Sequence, residues 1–414
     1  MLTPTAPAHG GATVARQEDG RVVFVHYALP GETVEVRPRG RRGGVLYATT
    51  ERVVDASPDR VTARCPYFGE CGGCAWQHAA YERQVAIKRG VVEDIWARVG
   101  LRFPPESRLL GLGDPWRYRI RGEFEAIHLP GGKFEFGFHR LRSHSVLAVR
   151  ECPIHDERIE RGMLAFRQAI EEIGVPALRQ LELTIEPGGH GLLWSARFEG
   201  RRAAAPPQLA ARVSELLPDL VLLDESMAFE FWGLHFRVGP DTFIQTNYRG
   251  MLSLYELALE LLAPSPSDRV LDLYAGIGTI SLAVARQCAR VVAMEESPRA
   301  VALGRLAARI NSARNVEFRQ GRVESLLREV RLDSHDAVIA DPPRAGLDPA
   351  AIAELLRLGT ERILYIACEP STQARDVASL VRGGYRVRRA ALVDMFPQTF
   401  HIESVVLLER HGLG

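Results

Sequence analysis

After about residue 248 the chain alternates short apolar runs with helical patterns, and no other feature limits its fold so strongly. Arg269–Leu273, Arg290–Glu295, Val316–Arg319, Ala337–Asp341, Arg362–Ala367, Arg386–Asp394 and Ser404–Leu408 read as strands, with helices between the first six. Strands linked by helices in this way build an α/β fold with a doubly wound, mainly parallel sheet. Ligands of such sheets bind beyond the C-terminal ends of the strands, so residues at those ends are where chemistry is sought.

The first strand runs into Asp272-Leu-Tyr274-Ala-Gly276-Ile-Gly278-Thr279 before a helix. Glycines there let the backbone approach a ligand at the free amides of a helix start. The second strand ends in Glu295, placed to accept hydrogen bonds from ribose hydroxyls. The third glycine of a pyrophosphate fingerprint is missing. The pair of elements therefore predicts a Rossmann-like domain for an adenosine cofactor without pyrophosphate, S-adenosylmethionine, against the alternative of a nucleotide-free sheet. The fourth strand ends in Asp341-Pro342-Pro343-Arg344. Successive prolines cannot continue a central strand, which leaves Asp341 at the ligand edge.

The fifth strand ends at Cys368, followed by Glu369-Pro370-Ser371. A cysteine at a strand end is ordinarily a small core residue. Here a helix start immediately after it would favour thiolate, and His401-Ile402-Glu403 further on offers acid and base groups.

The first half of the chain follows other rules. Residues 12–57 hold short strand-like runs, Arg21–His26 and Glu32–Val36 among them, separated by Gly/Pro turns, which predicts a small barrel. Arg37, Arg39, Arg41 and Arg42 fall in the turn after the second run, either as a solvated hairpin tip or as a track for phosphates. Helical patterns cover 81–99, 155–174 and 208–217, strand patterns cover 116–149, 181–185 and 192–198, and Ala204–Pro207 reads as a loop. Only Lys88 and Lys133 of the 52 basic residues are lysine, a bias that suits a GC-rich genome and leaves any phosphate contact to arginine.

Cys65, Cys71 and Cys74 crowd one stretch and Cys152 stands apart. The start of the chain has no signal-peptide pattern, and no apolar run reaches the ~20 residues of a membrane span. A reducing cytoplasm is expected, where clustered cysteines bind metal rather than form disulfides. Their spacing leaves zinc and a cubane cluster open. Cys288, placed in the helix after the glycine turn, reads as core.

Asp341-Pro-Pro-Arg-Ala-Gly346, Ala367-Cys368-Glu-Pro-Ser371, Ala374-Arg-Asp376 and Asp394-Met-Phe-Pro-Gln-Thr-Phe-His401-Ile-Glu403 closely resemble the RNA 5-methyluridine (uracil-C5) methyltransferase family. The resemblance spans nearly the whole chain. It implies three domains: a TRAM barrel, an OB-like RNA-binding module, over 1–58; a central α+β iron-sulfur domain over 59–247, whose helix near 81–99 packs on the catalytic domain; and a methyltransferase domain over 248–414. It makes Cys368 the nucleophile and Glu403 the base. Gln245, Tyr274, Gly276, Glu295 and Asp341 become cofactor residues, with Thr279 and Arg322 at further cofactor positions. Cys65, Cys71, Cys74 and Cys152 become the cage of a 4Fe-4S cluster. The chain departs from commoner family patterns at Glu369 (Asn), Gln398 (His) and Ile120 (Asn). A TRAM barrel with a cluster is similar to the ribosomal RNA branch, so the expected partner is 23S rRNA, handled by a monomer away from membranes. A tRNA substrate and a non-catalytic RNA-binding iron-sulfur protein are the alternatives. An adenine amino-group methyltransferase, which shares Asp-Pro-Pro, would want an aromatic ring where Arg344 stands and would leave Cys368 idle.

Overall fold

The computed structural model describes residues 1–414 except 176, 200–205, 241, 333 and 412–414; Ala204 and Ala205 of the expected loop thus lie outside the described residues. Five strands come first: β1 (Ala6–Pro7), β2 (Ala12–Arg16), β3 (Val22–His26), β4 (Thr33–Arg42) and β5 (Val45–Asp55). They pair in the order β1-β2-β3-β5-β4. Leu2 exchanges two 2.9 Å backbone hydrogen bonds with Val34 of β4, which closes the sheet on itself. Small side chains (Ala15, Val23, Val25, Ala28, Val34 and Ala48) fill the narrow interior. The arginine cluster is not a turn. Arg37, Arg39, Arg41 and Arg42 lie on β4, and the reversal falls at Gly43-Gly44, both with positive φ. Pro38 stays in the strand because the register shifts between Pro38 and Gly40, as an edge strand allows.

The segment carrying Cys65, Cys71 and Cys74 leads into α1 (Tyr81–Arg98) and the short strand β6 (Arg108–Leu110). The central sheet follows, from β7 (Arg121–His128), β8 (Phe134–His139), β9 (Val146–Ala148), β10 (Leu178–Ile185), β11 (Gly191–Phe198) and β12 (Val221–Leu223), ordered β12-β11-β10-β7-β8-β9. It is covered by α2 (Glu157–Ile173) and α3 (Pro207–Leu216). Asp156 caps the start of α2 and Gly174, at φ 72°, ends it. A hairpin of β13 (Met227–Phe231) and β14 (Leu234–Val238) precedes α4 (Tyr248–Leu262).

The remaining elements are β15 (Arg269–Leu273), α5 (Thr279–Ala285), β16 (Arg290–Glu295), α6 (Pro298–Ile310), β17 (Val316–Gln320), α7 (Val323–Arg328), β18 (Ala337–Ala340), α8 (Pro349–Leu358), β19 (Arg362–Ala367), α9 (Pro370–Arg382), β20 (Tyr385–Val393) and β21 (Glu403–Arg410). Their sheet runs β17-β16-β15-β18-β19-β21-β20-β6, parallel from β17 to β19, with β21 antiparallel to both neighbours. The order reverses between β15 and β18, which opens a crevice at their C-terminal ends. β6 adds an eighth strand by pairing in parallel with Ala391–Val393. Val91, Val92, Ile95 and Trp96 of α1 share a core with Leu271, Val338, Tyr365 and Val377, so α1 packs on this sheet as well. Cys288 is buried but lies in the bend after α5, not within it; that helix ends at Ala285.

Candidate active site

The turn after β15 is built from left-handed backbone: Tyr274 at φ 62°, Gly276 at 55° and Gly278 at 80°. A side chain on Gly278 would meet Phe318 at 2.4 Å, whereas one on Gly276 would meet nothing within 4 Å, since Gly276 faces open space. Glu295 reaches across from β16. Its carboxylate accepts from the Gly276 amide at 2.9 Å and from the Ser297 amide at 2.7 Å, which locks it beside the turn. The Thr279 hydroxyl lies 2.7 Å from that of Tyr255. Asp272, buried under the turn, accepts from the Ser281 hydroxyl, while its other oxygen has no hydrogen-bond partner among the described residues. Burial pushes its pKa up to about 7 despite that hydrogen bond.

These residues open onto a cavity of about 890 Å³. Gln245, Tyr274, Gly276, Thr279, Glu295 and Asp341 line one part of it. Arg344, Cys368, Phe396, Phe400, His401 and Glu403 line another. The motifs thus converge from four strand ends and two loops. Arg322 does not line the cavity; it stands exposed at the start of α7, 3.5 Å from Glu324.

Electrostatics divides the site. Burial alone raises Asp341 to about 7. Burial and then the Asp341 charge push Glu403 well above the usual carboxylate range, with Arg344 pulling the other way. Burial, Glu403 and Asp341 lift the Cys368 thiol to about 11, again opposed by Arg344. The helix start expected after Cys368 is present, with Glu369 capping α9, but in the free chain it does not outweigh burial and two acids. His401 is held neutral, pushed down to about 3 by burial and by Arg344, whose Nη2 is 3.4 Å from its Nδ1. Arg344 is a cavity-lining residue to which pattern reading gave no role. It stood inside the Asp-Pro-Pro-Arg motif, yet only the folded site shows its cation facing thiol, acid and imidazole together.

A second cavity of about 1000 Å³ is lined by Cys65, Cys71, Cys74 and Cys152. Burial, and then the neighbouring Cys152, Cys71 and Cys65, push the Cys74 thiol far up, so the four sulfurs feel one another. Backbone bonds fix the loop: the Cys65 amide donates to Gln77 at 3.0 Å, and the Gly72 amide to the His139 carbonyl at 3.0 Å. Among the described residues no group of three or more His, Cys, Asp or Glu side chains is gathered to hold a single metal ion. Gly72, Gly73, Arg119 and Phe243 line both cavities, so the cysteine loop is a wall of the first. The glycines gave no sequence signal beyond turn formation.

Residues 214–411 match the family described as tRNA (uracil-5-)-methyltransferase. An RNA methyltransferase of Halalkalibacterium halodurans is 31% identical, the alignment covering 97% of this chain and 94% of the relative. The 23S rRNA (uracil(1939)-C(5))-methyltransferase RlmD of Alkalilimnicola ehrlichii is 33% identical over 99% of this chain and 96% of its own. The crystal structure of Pyrococcus abyssi tRNA (uracil-54, C5)-methyltransferase in complex with S-adenosyl-L-homocysteine superposes with a TM-score of 0.76 at 22% identity, covering 99% of this chain and 100% of that one.

Proposed function

Since this chain belongs to the RNA uracil-C5 methyltransferase family, an S-adenosylmethionine-dependent family, we propose that it methylates a uridine of 23S ribosomal RNA through a covalent adduct on Cys368. The observation that carries the reading is the convergence of Cys368, Glu403, Asp341 and the glycine turn in one cavity. Relatives named for 23S rRNA, matched over nearly their whole length, support the choice of RNA.

Carbon 5 of uracil is too weak a nucleophile to take a methyl group unaided. The Cys368 thiolate adds to carbon 6, and the electron pair of the 5,6 double bond moves into an enolate. Carbon 5 then displaces the thioether from the sulfonium methyl group. Glu403, once ionised, takes the carbon 5 proton; the 5,6 double bond re-forms and the sulfur leaves carbon 6. Its raised affinity for protons suits it to that transfer. Asp341, Glu295, Gln245, Tyr274 and Thr279 would hold the cofactor, and Gly276, with open space in front of it, would let it approach the turn. Arg322, exposed beside Glu324, would take a further, outer cofactor position. The base must leave its stack to reach a site this enclosed.

Cys65, Cys71, Cys74 and Cys152 would hold a 4Fe-4S cluster. Four thiols around one cavity suit that group, which would tie the loop of Cys65, Cys71 and Cys74 to the segment between β9 and α2 that carries Cys152. The closed five-stranded barrel serves as a TRAM module for RNA, giving the division 1–58, 59–247 and 248–414.

Tritium release from RNA labelled at uridine carbon 5 tests the chemistry, because only substitution at that carbon expels the label. Wild-type protein releases it with S-adenosylmethionine, and Cys368→Ala releases none; a fully active Cys368→Ala would end the proposal. Mapping 5-methyluridine in large-subunit RNA and in tRNA from a strain lacking the gene distinguishes the substrates.

A further inference from the structure

The loop 394–402, closed where Val393 pairs with Glu403, supplies Phe396, Thr399, Phe400 and His401 to the active-site cavity. It is held mostly by residues some 300 positions earlier. The amides of Ala75 and Trp76, just past Cys74, both donate to the Gln398 carbonyl at 2.9 Å. Gln84 of α1 donates to the Gln398 side chain at 3.0 Å and accepts from its amide at 2.9 Å. The Lys88 ammonium donates to Asp394 at 2.6 Å and to the Phe396 carbonyl at 2.9 Å.

Lys88 is the unusual member. Fifty of the chain's 52 basic residues are arginine, and the other lysine, Lys133, is exposed. Lys88 and Asp394 are 3% and 2% exposed. Lysine and arginine are not interchangeable in a buried pair, and here one compact ammonium reaches two acceptors at once. A buried ion pair is also poor evidence of stabilisation, since apolar residues of similar volume often serve a fold as well or better. Its use is then geometric. The ammonium fixes both the first residue of the loop and the carbonyl two residues on, which sets where Phe396 and His401 stand.

We propose that Lys88 is a positioning residue for the loop 394–402, so that α1 sets the wall against which the target base is held. What the wall receives rests on the function proposed above; the anchoring does not. The test compares Lys88→Met/Asp394→Leu and Lys88→Arg with wild type. The double variant, with its pair replaced by apolar groups, should melt within about 3 °C of wild type. Its kcat should fall roughly 100-fold, as expected for reacting groups displaced by about 1 Å, with KM for S-adenosylmethionine unchanged. Amides of residues 395–401 should exchange about tenfold faster, and those of α9 should not. Lys88→Arg should fail to hold the loop. Wild-type kcat in the double variant or in Lys88→Arg, a uniform rise in exchange, or a double variant that does not fold would each overturn the inference. Exchange needs no substrate, so it reads the anchor even if wild-type protein releases no tritium and the function itself is wrong.

Discussion

Arg344→Met removes a cation that opposes the acids around Cys368, the proposed nucleophile. In the free chain burial, Glu403 and Asp341 together hold the Cys368 thiol at about 11, and Arg344 is the side chain that opposes them. Removing it leaves the acids unopposed, so the pKa moves further up and the thiolate fraction at neutral pH falls. An opposite charge within hydrogen-bonding range to a few ångströms beyond shifts a pKa by ~1–3 units. Arg344 ranks behind burial, Glu403 and Asp341 in that balance and also spends part of its field on Glu403 and His401, so the low end of that range applies, about tenfold in thiolate fraction or ~1.4 kcal/mol. The assay needs no RNA: alkylation of Cys368 by iodoacetamide at pH 8, followed by peptide mass. Its rate should drop by about three- to tenfold in Arg344→Met, less than the thiolate fraction because the remaining thiolate is more nucleophilic, and single-turnover methylation should fall with it. Arg344→Lys, which keeps the charge, should recover most of both. Alkylation at the wild-type rate alongside slow methylation would refute the argument, because Arg344 would then act on the RNA and not on sulfur.

Three further outcomes follow from the geometry. Glu403→Gln should form the adduct but not resolve it, leaving RNA linked to protein in denaturing gels; absence of any adduct would remove Glu403 from the second step. Asp272 and Asp341 ionise near 7 when folded against an ordinary 3.8, so their favourable contribution is complete below 3.8 and is lost as pH rises through about 7. At most ~4 kcal/mol each is at stake. His26, His335 and His401, held neutral by burial, pull the other way below 6.5, so Asp341 is read by difference: cofactor-free Asp341→Asn should gain melting temperature on wild type from pH 5 to 8, and a constant difference contradicts the assignment. Gly11, at φ 82°, would place a Cβ 2.6 Å from that of Ala75 and 3.3 Å from that of Phe400. Gly11→Val should accordingly cost about 2–3 kcal/mol by denaturant titration and lower activity, whereas Gly10→Val, with nothing within 4 Å of its Cβ, should leave the contact with Phe400 intact.

The catalytic sheet was legible because its strands are buried on both faces and bounded by turn residues. Arg269–Leu273, Arg290–Glu295 and Arg362–Ala367 have the same limits in sequence and structure. Residues at strand ends could be named from position alone, since the topology carries them to one edge. What was not legible depends on distant pairing. β6 is three residues long, too short for any periodicity, and becomes a strand only because β20 offers it an edge. β4 absorbs Pro38 through a register shift that no turn rule anticipates. Arg344 and Lys88 draw their importance from what they face after folding, and a linear pattern does not record facing.

The pairing of β6 with β20 also decides where this protein cannot be cut. A fragment starting at residue 248 would keep the glycine turn, Glu295, Asp341, Cys368 and Glu403, yet Ala391-Leu392-Val393 would become an uncovered, apolar sheet edge. The core residues that α1 covers, Val377 and Leu380 among them, would lose that cover. Open edges of this kind recruit strands from other molecules, and self-association is their usual fate. β6 and α1 thus shield β20 and α9: they occupy the edge and the face that another copy would otherwise take.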